Sequence, residues 1–448
     1  MSVTELDPPA PAAGAGADGS GHAGARSGGP AGSEPAARSE PGVARNGAGE
    51  TPDPEIPEPE TPEPEPAARA RRTLEGVLGI PATEGNRIHV LRNGDEIFPS
   101  MLDAIDGAEH TIDFLTFVYW KGEVGTRFAE ALCARAKAGV RVRILLDGWG
   151  AHPIEMSLID DMENAGVHVR WFRPLRRFRP GEVNHRTHRK VLIVDETIGF
   201  TGGVGISDLW QGNARNPDEW RDSHFRVEGP CVDGLRAAFL DNWIETDSQL
   251  FDGAHDRFPD QPKAGDSLVQ CVRGASETGR SDVSTLFRTL LQIAERQVRI
   301  TTAYFVPDDD LITRLGDAVD RGVSVQILLP GPNADKRFVQ LAGEADYAEL
   351  LAQGIELWNF QPSMLHAKIM TVDGLIANIG SANLNTRSLH ADEEINLVAM
   401  DPDVVAILDR HFEQDLEQSV RISAGRWRKR SFVQRTAERV TTPLRRLS

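Results

Sequence analysis

The chain of 448 residues contains only three cysteines, Cys133, Cys231 and Cys271, and no two of them form a CxxC pair. That spacing argues against a thiolate zinc site or a disulfide framework and leaves buried, reduced thiols as the expectation. Long hydrophobic runs are missing too. No stretch of about 18 uninterrupted apolar residues occurs, so a membrane-spanning helix is not expected. The N-terminus, MSVTELDPPAPAAGAGADGSG, lacks the basic start and apolar stretch of a secretory signal, which points to a cytoplasmic location, soluble or peripheral on the inner membrane face. Basic charge is in deficit, with 49 Lys+Arg against 67 Asp+Glu and a net charge of −18. Residues 76–420 hold 53 acidic and 34 basic side chains, a poor footprint for nucleic acid, so no nucleic-acid partner is expected.

What is present divides the chain into four parts. Residues 1–75 include the run TPDPEIPEPETPEPEPA, and the first 70 residues hold 13 of the 28 prolines. Such a composition buries too little apolar surface to offset ordering entropy, and a disordered tail is expected. From Arg87 strand and helix patterns alternate: RIHVL, then EIFPSMLDAIDGA, HTIDFLTFVYW, GTRFAEALCARAKAG and VRVRILLDG. The second half repeats the scheme, "AVDRGVSVQILLPG" answering "AKAGVRVRILLDG". A repeat of about 180 residues is too long for a solenoid and means two homologous domains. We expect an α/β fold with domains at 76–250 and 265–420, each a mostly parallel sheet flanked by helices, related by a pseudo-twofold axis. Residues 421–448 form a basic C-terminal segment, with nine basic side chains and one acidic.

The chemistry sits at equivalent places in the two halves. NHRTHRKVLIVDETIGFTGGVG carries His188, Lys190 and Asp195, and MLHAKIMTVDGLIANIGSANLN carries His366, Lys368 and Asp373. Both read HxKxxxxD. Side chains two apart on a strand share a face, so each His projects with its Lys. Joined across the domain interface, two imidazoles and two ammonium groups suit a phosphodiester. The lysines would neutralise phosphate oxygens, one histidine would attack phosphorus and the other would protonate the leaving alkoxide, with no metal or other cofactor called for. Asp195 and Asp373 complete the motifs, but their odd offset points them off the His/Lys face, which favours a role in fixing the strand end and turn. The histidines need acidic partners, and Asp222 and Glu394 follow the two motifs. Ser381 and Asn383 offer a hydroxyl and an amide to phosphate oxygens, whereas Gly205 stands at the first motif's position equivalent to Asn383.

These motifs, with "KAGVRVRILLDGWG", "TTAYFVPDDDL" including Tyr304, "WRDSHFRVEGP" and "SANLNTRSLHADEEINL", resemble the phospholipase D superfamily, in its bacterial cardiolipin synthase-like branch, over residues 87–420. The resemblance implies two phospholipase D-like domains and transfer of a phosphatidyl group through a phosphohistidine, joining two phosphatidylglycerol molecules with release of glycerol. It implies His188 as nucleophile and His366 as general acid, with pseudo-symmetry permitting the reverse, and it supports Asp222 and Glu394 as their partners. It also implies a phospholipid substrate, and a monomer is expected. The chain departs from the branch at Gly205 and in having a polar tail where many such synthases have two membrane spans. The basic C-terminal segment, with Trp427, Phe432, Val433 and Leu444, could contact an anionic membrane surface instead. A hydrolase of the same superfamily using water as acceptor, either a phospholipase or a nuclease, is the alternative reading.

Overall fold

In the computed structural model, residues 66–174, 185–246, 258–274 and 281–428 are described. The apolar, β-branched runs of the first half form strands β1 (Thr83–Arg92), β2 (Thr111–Thr116), β3 (Arg141–Asp147), β4 (His168–Phe172), β5 (Val191–Val194), β6 (Ile198–Gly202) and β7 (Ser223–Glu228). The second half supplies β8 (Ser267–Arg273), β9 (Gln297–Thr301), β10 (Phe305–Val306), β11 (Ser324–Pro330), β12 (Glu356–Phe360), β13 (Ile369–Val372), β14 (Ile376–Gly380), β15 (Leu384–Asn385), β16 (Ile395–Met400) and β17 (Ser419–Ile422). All except the short parallel pair β10 and β15 join one 15-stranded sheet.

The duplication is visible in the strand order. From a central seam it runs β1-β7-β6-β5-β2-β3-β4 in one direction and β8-β16-β14-β13-β9-β11-β12 in the other, with β17 added at the far edge. β1 and β8 meet antiparallel at the seam, Thr83 opposite Val269 and Asn86 opposite Ser267, as a twofold rotation between two copies requires. The α/β architecture and its two similar halves are as expected from the sequence. The sheet itself is mixed rather than mostly parallel. Only the outer strands β2-β3-β4 and β9-β11-β12 pair in parallel, because helical crossovers connect them. The motif strands β5-β6 and β13-β14 are joined by tight turns, and two strands so joined must run antiparallel.

Alternation along the strands feeds two layers. Leu192 and Val194 of β5 enter a core with Ile97, Met101, Phe128 and Leu132 from the helices Asn93–Asp106 and Glu123–Lys137. Val191 and Ile193 point to the opposite face. There Leu235 and Phe239 of the helix Val232–Trp243 and Val405 and Leu408 of the helix Pro402–Glu417 form a second core, which crosses the seam to take in Ile379, Ile395 and Leu397. Burial of these side chains holds the two halves in fixed register.

Two expectations about the ends change. Residues 66–75, assigned to the tail, belong to a helix spanning Pro66–Leu78. Leu74 and Leu78, one turn apart, pack on Val283, Leu286 and Leu290 of the helix Asp282–Ile293, so this first helix docks on the second half. Residues 1–65 lie outside the described residues. At the other end β17 pairs with β12, and the Trp427 ring lies 5.2 Å from that of Tyr347, at the margin of the second half's core. Trp427 is therefore a packing residue. Phe432, Val433 and Leu444 lie outside the described residues. Of the cysteines, Cys133 and Cys231 are buried and Cys271 is partly exposed, all three free.

Candidate active site

His188 with Lys190, and His366 with Lys368, lie in the extended segments that lead into β5 and β13, just short of the regular strands on which the sequence places them. What holds these segments is the opposite half. Thr187 bridges in parallel to Glu393 and Arg221 to Leu365, with His188 N–H donating to Glu393 O at 2.9 Å and His366 N–H to Arg221 O at 2.7 Å. Each pairing carries a carboxylate across the interface to the other half's histidine.

The partners are accordingly exchanged. His188 Nδ1 lies 2.9 and 3.0 Å from the Glu394 carboxylate oxygens, and His366 Nδ1 lies 2.8 Å from Asp222 Oδ2. An ionised carboxylate can only accept, so each Nδ1 carries the proton; His188 Nε2 is left for chemistry, while His366 Nε2 lies 3.2 Å from Lys368 Nζ. Burial, then Lys190 and Lys368, hold His188 down to about 3 against the pull of Glu394. Burial and Lys368 hold His366 down to about 4. Burial alone would raise the two carboxylates, but their histidines and the lysines prevail and keep both at about 2. The ammonium groups are depressed chiefly by burial, Lys190 to about 8 and Lys368 to about 7. Lys190 Nζ donates to the His188 carbonyl at 2.6 Å, and Lys368 Nζ to that of His366. Both lysines act electrostatically on His188, Lys368 acts on His366, and Lys190 acts on Lys368, so the four groups are linked in one field.

Around this shared field the two halves differ. Ser381 donates its hydroxyl to Glu394 Oε2 and accepts from Ile395 N–H, so it orients the carboxylate, where the sequence suggested a phosphate contact. Its counterpart is Gly203, whose Cβ, if present, would lie 2.3 Å from Asp222 Oδ1. Asp222 takes its side-chain hydrogen bond from the Trp210 indole instead, Nε1 to Oδ2 at 2.8 Å, and a further one from Ser223 N–H. Gly205, at the position matching Asn383, has no room for a side chain, since a Cβ would fall 2.6 Å from that of Val118. Trp210 and Trp220 also face the His366 ring at centroid distances of 5.3 Å, and Phe117 faces His188 at 5.2 Å. No motif in the sequence marks Trp210 for this role. Its indole donor replaces a hydroxyl absent at Gly203, and only the fold brings the two positions together.

Asp195 and Asp373 sit at the far ends of the β5-β6 and β13-β14 hairpins, in left-handed backbone with φ of 48° and 55°. Asp195 accepts from the amides of Glu109, His110 and Thr111, and Asp373 from those of Glu295, Arg296 and Gln297, at 2.7 to 2.8 Å. They fasten each hairpin to the start of β2 or β9 and border no part of the His188 cavity. That cavity, about 380 Å³, is bounded by Phe117, Trp149, Arg186, His188, Tyr304, Lys336, Phe338, Asn383 and Asp392 among others. Tyr304 reaches toward the second histidine, its ring 6.1 Å from that of His366. Trp149 and Phe338, 60% and 48% exposed, project from the connections that follow the equivalent strands β3 and β11.

A family model described as "Cardiolipin synthase, PLD-like domain" matches residues 101–211 and 287–416, each segment holding one HxKxxxxD motif. Cardiolipin synthase 1 of Bacillus anthracis is 34% identical over 377 residues, covering 82% of this chain and 74% of its own. The cardiolipin synthase of Geobacillus kaustophilus (strain HTA426) is 31% identical over 363 residues, covering 81% and 72%. Among solved structures, a phosphatidylserine synthase of Haemophilus influenzae Rd KW20 aligns with a TM-score of 0.64 at 14% identity, over 85% of this chain and 98% of that one. At that identity the likeness speaks for the fold alone.

Proposed function

The chain belongs to the cardiolipin synthase family of phospholipase D-like proteins, and on that premise we propose that it is a phosphatidyltransferase that moves a phosphatidyl group from a phospholipid to an alcohol such as phosphatidylglycerol. The observation that carries this reading is the crossed pair of dyads, His188 with Glu394 and His366 with Asp222, sharing the field of Lys190 and Lys368. His188 borders the open cavity and is assigned as the nucleophile. Its Nε2 lone pair forms the P–N bond as the bond from phosphorus to the leaving alkoxide breaks, and His366 gives that oxygen a proton. The negative charge of the phosphodiester offsets the burial and the Lys368 field that depress His366, which raises it toward the protonated form a general acid needs. In the second step the acceptor hydroxyl yields its proton to His366 and its oxygen displaces His188. Both lysines hold charge on the non-bridging oxygens throughout.

Membrane contact is assigned to the cavity mouth. No helix among the described residues is long and apolar enough to cross a membrane. Exposed Trp149 and Phe338, with Lys336 and Arg337 beside them in sequence or space, give the mouth the apolar and basic character that an anionic lipid surface attracts. On this reading the enzyme acts peripherally, with its site facing the lipid.

The test uses purified protein with radiolabelled phosphatidylglycerol and an alkaline quench, which preserves phosphohistidine. Wild type should form cardiolipin and glycerol. His188→Ala should lose turnover by about three orders of magnitude and carry no protein-bound label, whereas His366→Ala should turn over poorly yet retain label. Label on His188→Ala but not on His366→Ala would reverse the two roles.

A further inference from the structure

The catalytic groups explain how a phosphatidyl group leaves its donor but not why an alcohol, rather than water, should collect it. We propose that Asp392, with Asn383 beside it in the cavity wall, forms a hydroxyl-recognising subsite for the acceptor, and that this subsite sets the ratio of transfer to hydrolysis. The proposal rests on the phosphatidyltransferase reading above and deepens it.

Three observations converge. Asp392 and Asn383 both border the cavity that runs from His188 to Tyr304, yet they are only 8% and 2% exposed. Each keeps one side-chain oxygen, Asp392 Oδ1 and Asn383 Oδ1, buried without a hydrogen-bond partner, a condition that proteins avoid unless a ligand or water completes the bond. Neither residue is occupied as a histidine partner, since Glu394 and Asp222 fill those places. The other Asp392 oxygen accepts from Arg387 Nε at 2.8 Å, which fixes the carboxyl group in the wall.

The chemistry of the unpaired atoms selects the ligand class. Phosphate oxygens are themselves acceptors and would gain nothing from two more, whereas hydroxyl hydrogens would be bound by both. Burial pushes the Asp392 carboxyl up to about 7, so above that pH it is the ionised carboxylate, which only accepts and therefore pairs with a hydroxyl rather than with a phosphate oxygen. A volume of about 380 Å³ is many times the roughly 30 Å³ share of one water and admits a polyol headgroup. The cations Arg186 and Lys336 stand in the same wall, Lys336 lying 5.0 Å over the Tyr304 ring. A polyol that also bears an anionic group therefore fits better than a neutral alcohol. When such an acceptor occupies the wall, water is displaced from the line of attack on the phosphorylated histidine.

The test measures partition rather than rate. Full-length protein is given phosphatidylglycerol in mixed micelles, and cardiolipin and phosphatidic acid are quantified from the same reaction. Asp392→Leu, which keeps the branch at Cγ but is larger and carries no acceptor, should move the product ratio toward phosphatidic acid at least fivefold. Asp392→Asn, which keeps an oxygen in place, should stay within about twofold of wild type. Asn383→Ala leaves the Arg387 pair intact and should shift the ratio in the same direction as Asp392→Leu, and it decides the matter if that variant does not fold. An unmoved ratio with a reduced total rate would make Asp392 merely the holder of Arg387 and overturn the subsite alone. A wild-type enzyme that releases only phosphatidic acid would overturn the transferase reading, and the subsite with it.

Discussion

On the proposed function, two buried ammonium groups set the pH range over which this site holds an anion. Lys190 and Lys368, depressed to about 8 and about 7 mainly by burial, lose charge near neutrality, far below a free lysine. If the protonated forms bind the phosphodiester as proposed, substrate affinity should weaken as pH rises through 7 to 8, and the loss should appear in KM more than in kcat because bound phosphate raises both groups. The same depression has a stability sign. Between about 7 and the ordinary lysine value of 10.5, Lys368 is neutral when folded and charged when unfolded, so unfolding takes up a proton and wild-type stability gains with rising pH in that window. Lys368→Met should abolish turnover, raise the melting temperature at pH 7 by stabilisation on the order of a few kcal/mol, and flatten the stability profile between pH 7 and 10. Calorimetry of both proteins across that range checks it, and a variant less stable than wild type at pH 7 would contradict it. The histidines and lysines were legible because HxK is a local pattern that recurs in a duplicated chain. The exchange of Asp222 and Glu394 was not, since it depends on tertiary backbone bridges between residues as distant in the chain as Thr187 and Glu393.

At the scale of elements, helix and strand positions followed from periodicity, while strand direction did not. The run VLIVDETIGFTGG reads as buried apolar sequence in either orientation, and only the left-handed turn at Asp195, held by three amides of the β2 approach, makes it an antiparallel hairpin. The N-terminal helix was missed for a related reason. Its apolar residues Ala70, Leu74 and Leu78 recur every four positions, but they abut a proline-rich segment whose composition dominates any window that includes both. In the fold that stripe is sealed against the helix Asp282–Ile293, and Leu74 is fully buried. Leu74→Ala should therefore destabilise the protein by about 2–5 kcal/mol, the range for truncating a buried leucine. Urea unfolding should show the loss as a lowered midpoint, while kcat at a temperature where the variant stays folded should be close to wild type. A change below about 0.5 kcal/mol, the usual scale for surface substitutions, would mean the helix is not part of the cooperative unit.

For the whole molecule, the twofold arrangement places two equivalent connections, those after β3 and β11, on one cavity mouth, and each presents an exposed aromatic residue. A lipid substrate cannot expose its acyl chains to water without losing about 0.8 kcal/mol per methylene, so the mouth has to meet the bilayer closely enough for a headgroup to enter. Attraction of the basic C-terminal segment to an anionic surface is a separate expectation from the sequence, and the two can be resolved only with a truncation that leaves the fold intact. Ending the chain at residue 420 would cut β17 and remove Trp427 from Tyr347, whereas ending it at residue 428 keeps both. Vesicle sedimentation on anionic lipid should then show Trp149→Ser/Phe338→Ser binding at least tenfold more weakly than wild type, with the chain ending at residue 428 retaining the mouth's contribution. Turnover of bilayer phosphatidylglycerol by the double variant should fall further than turnover of a short-chain soluble analogue. Equal losses on the two substrates would assign Trp149 and Phe338 to headgroup binding, and unchanged sedimentation would move the membrane contact elsewhere.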